Sequence, residues 1–256
     1  MTNNGAAWPD PPAHLELSSG DVHIWHAGLN LPDGAVRRAE LTLSTVERAR
    51  AGRFRFEHDR RRFVAAHGAL RAILGRYLET APEQVQMEQA PGGKPRLPVT
   101  ANLRDIEFSM AHSQDVALYA VAVAMQVGID VEYLRPMAEA EQIAARFFAA
   151  PEIAALALLA ALPEEQRLEG FYTCWTAKEA YTKAIGAGLA YPLPRVEVAI
   201  AGGRLAAIDG NADEAARWFV QTFRPAPDHI AALVVESQAP RLSFWRYESS
   251  SDLGGS

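Results

Sequence analysis

Apolar residues recur along this chain of 256 residues at two different spacings, which alternate in blocks. A period near 3.6 marks one face of a helix, and a period of two marks one face of a strand. Residues 59–78 follow the helical spacing, with Phe63, Leu70, Leu74 and Leu78 on one face. The basic stretch 45–56 before them reads as a shorter helix. Alternation at 21–26 and the apolar runs at 106–110, 116–125 and 127–133 read as strands, with another short one at 85–89. Pro-Gly-Gly-Lys-Pro at 91–95 reads as a tight exposed loop. The second half repeats the theme. Helices are predicted at 139–149, 151–162 and 164–185, the second opening on Pro151 and the third closed by Gly186 and Gly188. Strands follow at 195–200, 217–223, 229–236 and 242–247.

A long helix accompanied by a meander of short strands thus occurs twice. The expected fold is α+β, with two similar subdomains related by an approximate twofold, each a long helix packed on a small antiparallel sheet. The halves span 15–126 and 127–248, and the Pro/Asn/Ala-rich residues 1–14 and Ser/Gly-rich residues 249–256 are expected to be disordered tails.

Composition changes this picture little. A hydrophobic fraction of 49% and a charged fraction of 22% are those of an ordinary soluble domain. A net charge of −6 argues against a nucleic-acid partner. Locally, however, Arg48, Arg50, Arg53, Arg55, Arg60, Arg61 and Arg62 form a basic patch suited to a small anion. The single cysteine, Cys174, excludes an internal disulfide and reads as a packed core thiol. The longest apolar run, 153–162, is too short to cross a bilayer, and the N-terminus lacks a secretory pattern. A cytoplasmic protein with no membrane partner is expected, and two fused halves would let a monomer suffice.

The chemistry concentrates in two stretches. In Gly-Ile-Asp-Val-Glu at 128–132, Asp130 and Glu132 point to the same side of a predicted strand. In the helical stretch 175–183, Glu179 and Lys183 share one face. If the two faces meet, three carboxylates and a lysine form a site for a hard divalent cation and a phosphate chain. Each residue also has a plainer reading. Asp130 and Glu132 would be the wet face of an edge strand, and Glu179 an i,i+4 partner of Lys183. His112, where a strand turns, either satisfies a loop carbonyl or donates to phosphate. Lys94, between Gly93 and Pro95, is either an exposed loop lysine or a phosphate ligand. His23 and His26 lie on opposite sides of their strand and make a poor metal pair. No P-loop, dinucleotide fingerprint, His-Glu-x-x-His or nucleophile elbow is present.

Four stretches, 93–95, 108–113, 128–132 and 175–183, together with Arg-Phe-Phe at 146–148 and Glu152, resemble the motifs of 4′-phosphopantetheinyl transferases. The chain is most similar to the two-subdomain type that serves peptide synthetases and polyketide synthases, over about residues 45–236. The resemblance implies a Mg2+-dependent transfer of phosphopantetheine from coenzyme A to a serine of an apo carrier protein, releasing 3′,5′-ADP. It implies Asp130, Glu132 and Glu179 as metal ligands, Glu152 as base toward the serine, and Lys183 on the pyrophosphate. Arg50, Lys94, Ser109, His112 and Ser113 would hold the nucleotide end, and the region of Phe147 and Phe148 is a candidate partner surface by position. One departure is Ala111, where relatives commonly carry Ser. Two other readings use the same residues: a non-catalytic module binding coenzyme A or a carrier, and a Mg2+-dependent pyrophosphate hydrolase. Turnover onto a carrier separates the first from the transferase, and release of free phosphopantetheine without a carrier would mark the second.

Overall fold

The computed structural model describes residues 8–90 and 92–249. The first half runs β1 (Asp21–Gly28), α1 (Asp33–Thr42), α2 (Thr45–Ala51), α3 (Glu57–Leu78), β2 (Glu88–Gln89), β3 (Pro95–Arg96), β4 (Ile106–Ser113) and β5 (Val116–Val123). The second half opens with β6 (Val127–Tyr133), α4 (Ala140–Phe147), α5 (Ala150–Leu159) and α6 (Glu164–Ala184). It closes with β7 (Val196–Ala199), β8 (Arg204–Ile208), α7 (Ala212–Ala216), β9 (Phe219–Phe223), β10 (His229–Val235) and β11 (Arg241–Tyr247). The fold is mixed α+β. Helix α1, strands β3 and β8 and helix α7 are additions to the sequence expectation; each is short, α1 with 10 residues being the longest.

Two sheets carry the architecture, ordered β11-β1-β5-β4 and β6-β10-β9. Strand alternation explains how they stack. In β5, Ala117, Tyr119 and Val121 face α3, while Leu118, Ala120 and Ala122 face the second sheet. In β6, Val127, Ile129 and Val131 enter that same intersheet core, so Gly128, Asp130 and Glu132 face the other way, toward α6. The result is four layers: α3, sheet, sheet, α6. Each buried Leu, Ile, Val or Phe contributes roughly 1.5–3 kcal/mol to holding them.

The first sheet is not purely antiparallel, contrary to expectation. Strand β11 leaves the second half and pairs parallel with β1, from Asp21 opposite Arg241 to Ala27 opposite Tyr247. A division at 126/127 therefore cuts through the last strand's pairing. The N-terminal tail is also corrected in part. Trp8 is buried, stacks on His26 with ring centroids 5.2 Å apart, and donates from its indole N–H to the Pro225 carbonyl at 3.1 Å. The Pro9 carbonyl accepts the Arg246 backbone N–H, and the Pro12 carbonyl accepts from the Arg76 guanidinium. The apolar bulk of Trp8 outweighs the disorder-prone composition around it. Residues 1–7 and 250–256 lie outside the described residues.

Strands β4 and β6 run side by side without belonging to one sheet. Serine hydroxyls bridge this seam: Ser109 Oγ accepts from the Ile129 N–H at 3.1 Å, and Ser113 Oγ from the Tyr133 N–H at 3.0 Å. These bonds satisfy backbone donors that would otherwise be buried alone.

Candidate active site

The first link is the contact of β6 with α6. Gly128 has no side chain because none would fit: a Cβ there would lie 1.9 Å from the Ala180 carbonyl oxygen. The close approach brings Asp130 against Lys183, with Nζ donating to Oδ1 at 2.5 Å. Lys183 therefore pairs with Asp130 across the interface and not with Glu179 along its own helix. Asp130 Oδ2 and Glu179 Oε1 are both buried and have no hydrogen-bond partner among the described residues. Glu132 is half-buried beside them, accepting a bond from the Ser113 hydroxyl at 3.3 Å.

The electrostatics follow from this crowding. Desolvation, and then the neighbouring Asp130 charge, raise the Glu132 carboxyl to about 7. Burial raises Asp130 against the pull of Lys183, and burial with the Asp130 charge raises Glu179. Carboxyls so placed resist ionisation unless a cation joins them. The orphaned oxygens of Asp130 and Glu179 are the direct sign that the donor set fits a hard cation. Among the described residues, no three His, Cys, Asp or Glu side chains converge into a cage by themselves. Magnesium does not need one, since it keeps waters and substrate oxygens in its shell.

Across the seam lies a cationic rim. The exposed edge of His112, at the end of β4, sits in a recess where partial desolvation and the charges of His67, Lys183, Arg62 and Arg50 lower its pKa to about 4. Arg50 rests on the Phe63 ring, 5.3 Å from its centroid, and has no carboxylate partner among the described residues. Arg60, Arg61 and Arg62 are each taken up by nearby carboxylates. Sequence reading named Arg50, His112 and Lys183 as site residues and Arg62 within the basic patch, but missed His67. The available signal was His67 four residues after Phe63 on the same helix face.

Several expected site residues have other work. Lys94 donates to the carbonyls of Val127 and Ala184, both at 3.2 Å, and lies 3.5 Å from Glu107. It caps the end of α6 and joins the two halves. Pro91 of its loop lies outside the described residues, while Gly92 packs against the Gly186 carbonyl, where a Cβ would lie 1.8 Å away. Ser109 is sealed in the β4–β6 seam, out of reach of a nucleotide. Ala111 packs in the intersheet core.

Glu152 is the clearest correction. Its carboxylate pairs with Lys178 at 2.8 Å, and both side chains are fully buried. Its oxygens also accept the backbone N–H groups of Ala149 and Val198, each at 2.6 Å. Lys178 completes its own set with the carbonyls of Leu193 and Val196. A base for an incoming serine must be reachable; in this arrangement Glu152 is fully buried, and both of its oxygens are already engaged. Cys174 is beside this pair, fully buried, with burial pushing its thiol up, as a core thiol should be. Phe148, proposed at a partner surface, is also buried, against Phe171. Phe171 stacks on Trp175 and lines an apolar groove of about 510 Å³ between α4, α5 and α6. No helix among the described residues is long and apolar enough to cross a membrane.

Comparison with known proteins bears on this site. Residues 126–234 match the 4′-phosphopantetheinyl transferase superfamily, and residues 35–124 match the family described as 4′-phosphopantetheinyl transferase, N-terminal. The 4′-phosphopantetheinyl transferase HetI of a Nostoc species is 39% identical over 240 residues, covering 94% of this chain and 98% of the relative. The 4′-phosphopantetheinyl transferase psf-1 of Bacillus pumilus is 32% identical over 214 residues, 78% of this chain and 88% of its own. The human L-aminoadipate-semialdehyde dehydrogenase-phosphopantetheinyl transferase is 28% identical over 163 residues, 61% and 52% of the two chains.

Proposed function

The chain belongs to the 4′-phosphopantetheinyl transferase superfamily, and from that premise we propose which of its residues carry the transfer and how. The enzyme transfers phosphopantetheine from coenzyme A to carrier proteins. In our reading the acceptor is a carrier serine and the product 3′,5′-ADP. The observation that carries the site assignment is the pair of buried, unpartnered oxygens on Asp130 and Glu179. With Glu132 they would hold a magnesium ion, which when bound supplies neutralisation of charge on the pyrophosphate. Lys183 supports the leaving phosphate from the other side, because a cation placed where charge develops lowers the barrier. Its present partner Asp130 would be shared with the metal. Arg50 and His112 orient the nucleotide end, and Ser113 holds Glu132 in place by its hydroxyl.

Both halves of the site lie in one chain, which supports action as a monomer, and the single buried thiol suits the reducing cytoplasm. A net charge of −6 gives nucleic acid no part in this reading, and no membrane partner is invoked. The facing α3-on-sheet and α6-on-sheet layers are consistent with two related subdomains, 15–126 and 127–248, the last strand being contributed across the boundary.

Incubation with coenzyme A, Mg2+ and an apo carrier protein is expected to give a carrier heavier by one phosphopantetheine, read by mass spectrometry. Glu179→Gln should lower turnover about 100-fold or more, as loss of a metal-site group does, without lowering the melting temperature. Unmodified carriers across a diverse set, with a control transferase active, would refute the assignment.

A further inference from the structure

The cationic rim contains one side chain that neither the carboxylate cluster nor helix packing explains. His67 sits on α3 one turn after Phe63, and the two rings lie 4.0 Å apart. Arg50 rests on the same phenylalanine. Glu47, in the first turn of α2, holds His67 Nδ1 at 3.1 Å through Oε1. The other oxygen of Glu47 accepts from the Ser44 N–H and from Arg71 Nε, both at 2.8 Å. Arg71 is buried and continues to the carbonyls of Pro82 and Val85. Helix α2 is thus tied to α3 by Arg71 whether or not His67 takes part.

What His67 adds is a fixed ring. With Nδ1–H donated to the carboxylate behind it, the rotation of the ring is set, and the imidazolium form presents a second donor, Nε2–H, on the opposite edge. Its Nε2 has no hydrogen-bond partner among the described residues, and the side chain remains 17% exposed. His67 is also the foremost of the charges acting on His112, ahead of Lys183, Arg62 and Arg50. An imidazolium placed among cations, with Glu47 as its only carboxylate partner among the described residues, is arranged to meet an anion.

We propose that His67 is a substrate-binding residue that donates from Nε2 to the 3′-phosphate of coenzyme A, with Glu47 as its positioning residue. The choice of phosphate follows from placement. Lys183 and the carboxylates mark the reacting pyrophosphate at α6, whereas His67 stands across the seam on α3 beside Arg50. The proposal rests on the coenzyme A reading above.

Two substitutions separate binding from structure. His67→Asn keeps a donor near Nδ1 for Glu47 and removes the group at Nε2, whereas His67→Gln places an amide near Nε2. Loss of one charge-assisted hydrogen bond predicts that His67→Asn raises KM for coenzyme A about tenfold, with kcat, carrier KM and melting temperature unchanged. His67→Gln should recover most of that loss. With dephospho-coenzyme A as donor, wild type and His67→Asn should have equal KM. An unchanged KM for coenzyme A in His67→Asn overturns the proposal. So does an equal rise with both donors, or the reverse order, with Asn harmless and Gln impaired. Wild-type protein that fails to transfer from coenzyme A would instead refute the underlying function.

Discussion

Three carboxylates in this protein show how the same chemical group is put to opposite uses. Glu152 is buried with both oxygens answered: Lys178 and two backbone N–H groups surround it. Buried Asp130 and half-buried Glu179 each have one buried oxygen left unanswered among the described residues. An unsatisfied buried acceptor costs about 1–3 kcal/mol, more when charged, so the second arrangement makes sense where a ligand completes it. The first is structural, and a buried pair loses about 3–5 kcal/mol when one partner is removed. Glu152→Gln is accordingly expected to lower the denaturation midpoint strongly by leaving Lys178 uncompensated. The double variant Glu152→Leu/Lys178→Met should regain most of that stability and keep its transfer rate. A general base contributes about 10²–10⁴-fold, so a stable but inactive double variant would restore Glu152 to a catalytic role. Sequence reading could list these carboxylates but not sort them, because Glu152 and Glu179 look alike until their neighbours are known.

At the scale of elements, the junction of β6 and α6 decides whether the site exists. Period-two spacing predicted β6 with its observed bounds, and alternation correctly put Asp130 and Glu132 opposite Ile129 and Val131. The glycine at 128 lets α6 come close enough for Lys183 to reach Asp130. Gly128→Ala must push the helix away, since the new methyl would overlap the Ala180 carbonyl. A loss of about 3 kcal/mol or more is expected, at the upper end for overpacking, with transfer falling further than the remaining folded fraction explains. Chemical denaturation and single-turnover labelling measured on the same sample would check this; wild-type stability would show that the contact is looser than described. The β4–β6 seam was not legible in the sequence. Ser109 and Ser113 sit in a motif that suggests ligand binding, yet their hydroxyls substitute for missing backbone partners between two sheets.

The whole molecule is held by contacts between its extremes. Trp8 touches His26 in β1, Phe223 in β9 and Phe244 in β11, and so binds elements of both sheets. Trp8→Ala is expected to cost about 3 kcal/mol, as for other buried tryptophans, and to lower the denaturant midpoint without changing KM for coenzyme A. A change in KM with an unmoved midpoint would instead connect this end of the chain to the site. Sequence alone determined the long helices, most strands, the mixed α+β class and the motif residues that mark the family. These depend on spacing between near neighbours, and spacing is written directly in the chain. Tertiary structure decided the parallel β1–β11 pair, the ordered Trp8, the burial of Glu152 and the gathering of Asp130, Glu132, Glu179 and Lys183. Each of those is a contact between distant segments, set by what surface remains to be buried once the local elements have formed. The opening pattern of apolar positions thus specifies which faces must be covered, and only packing determines by what.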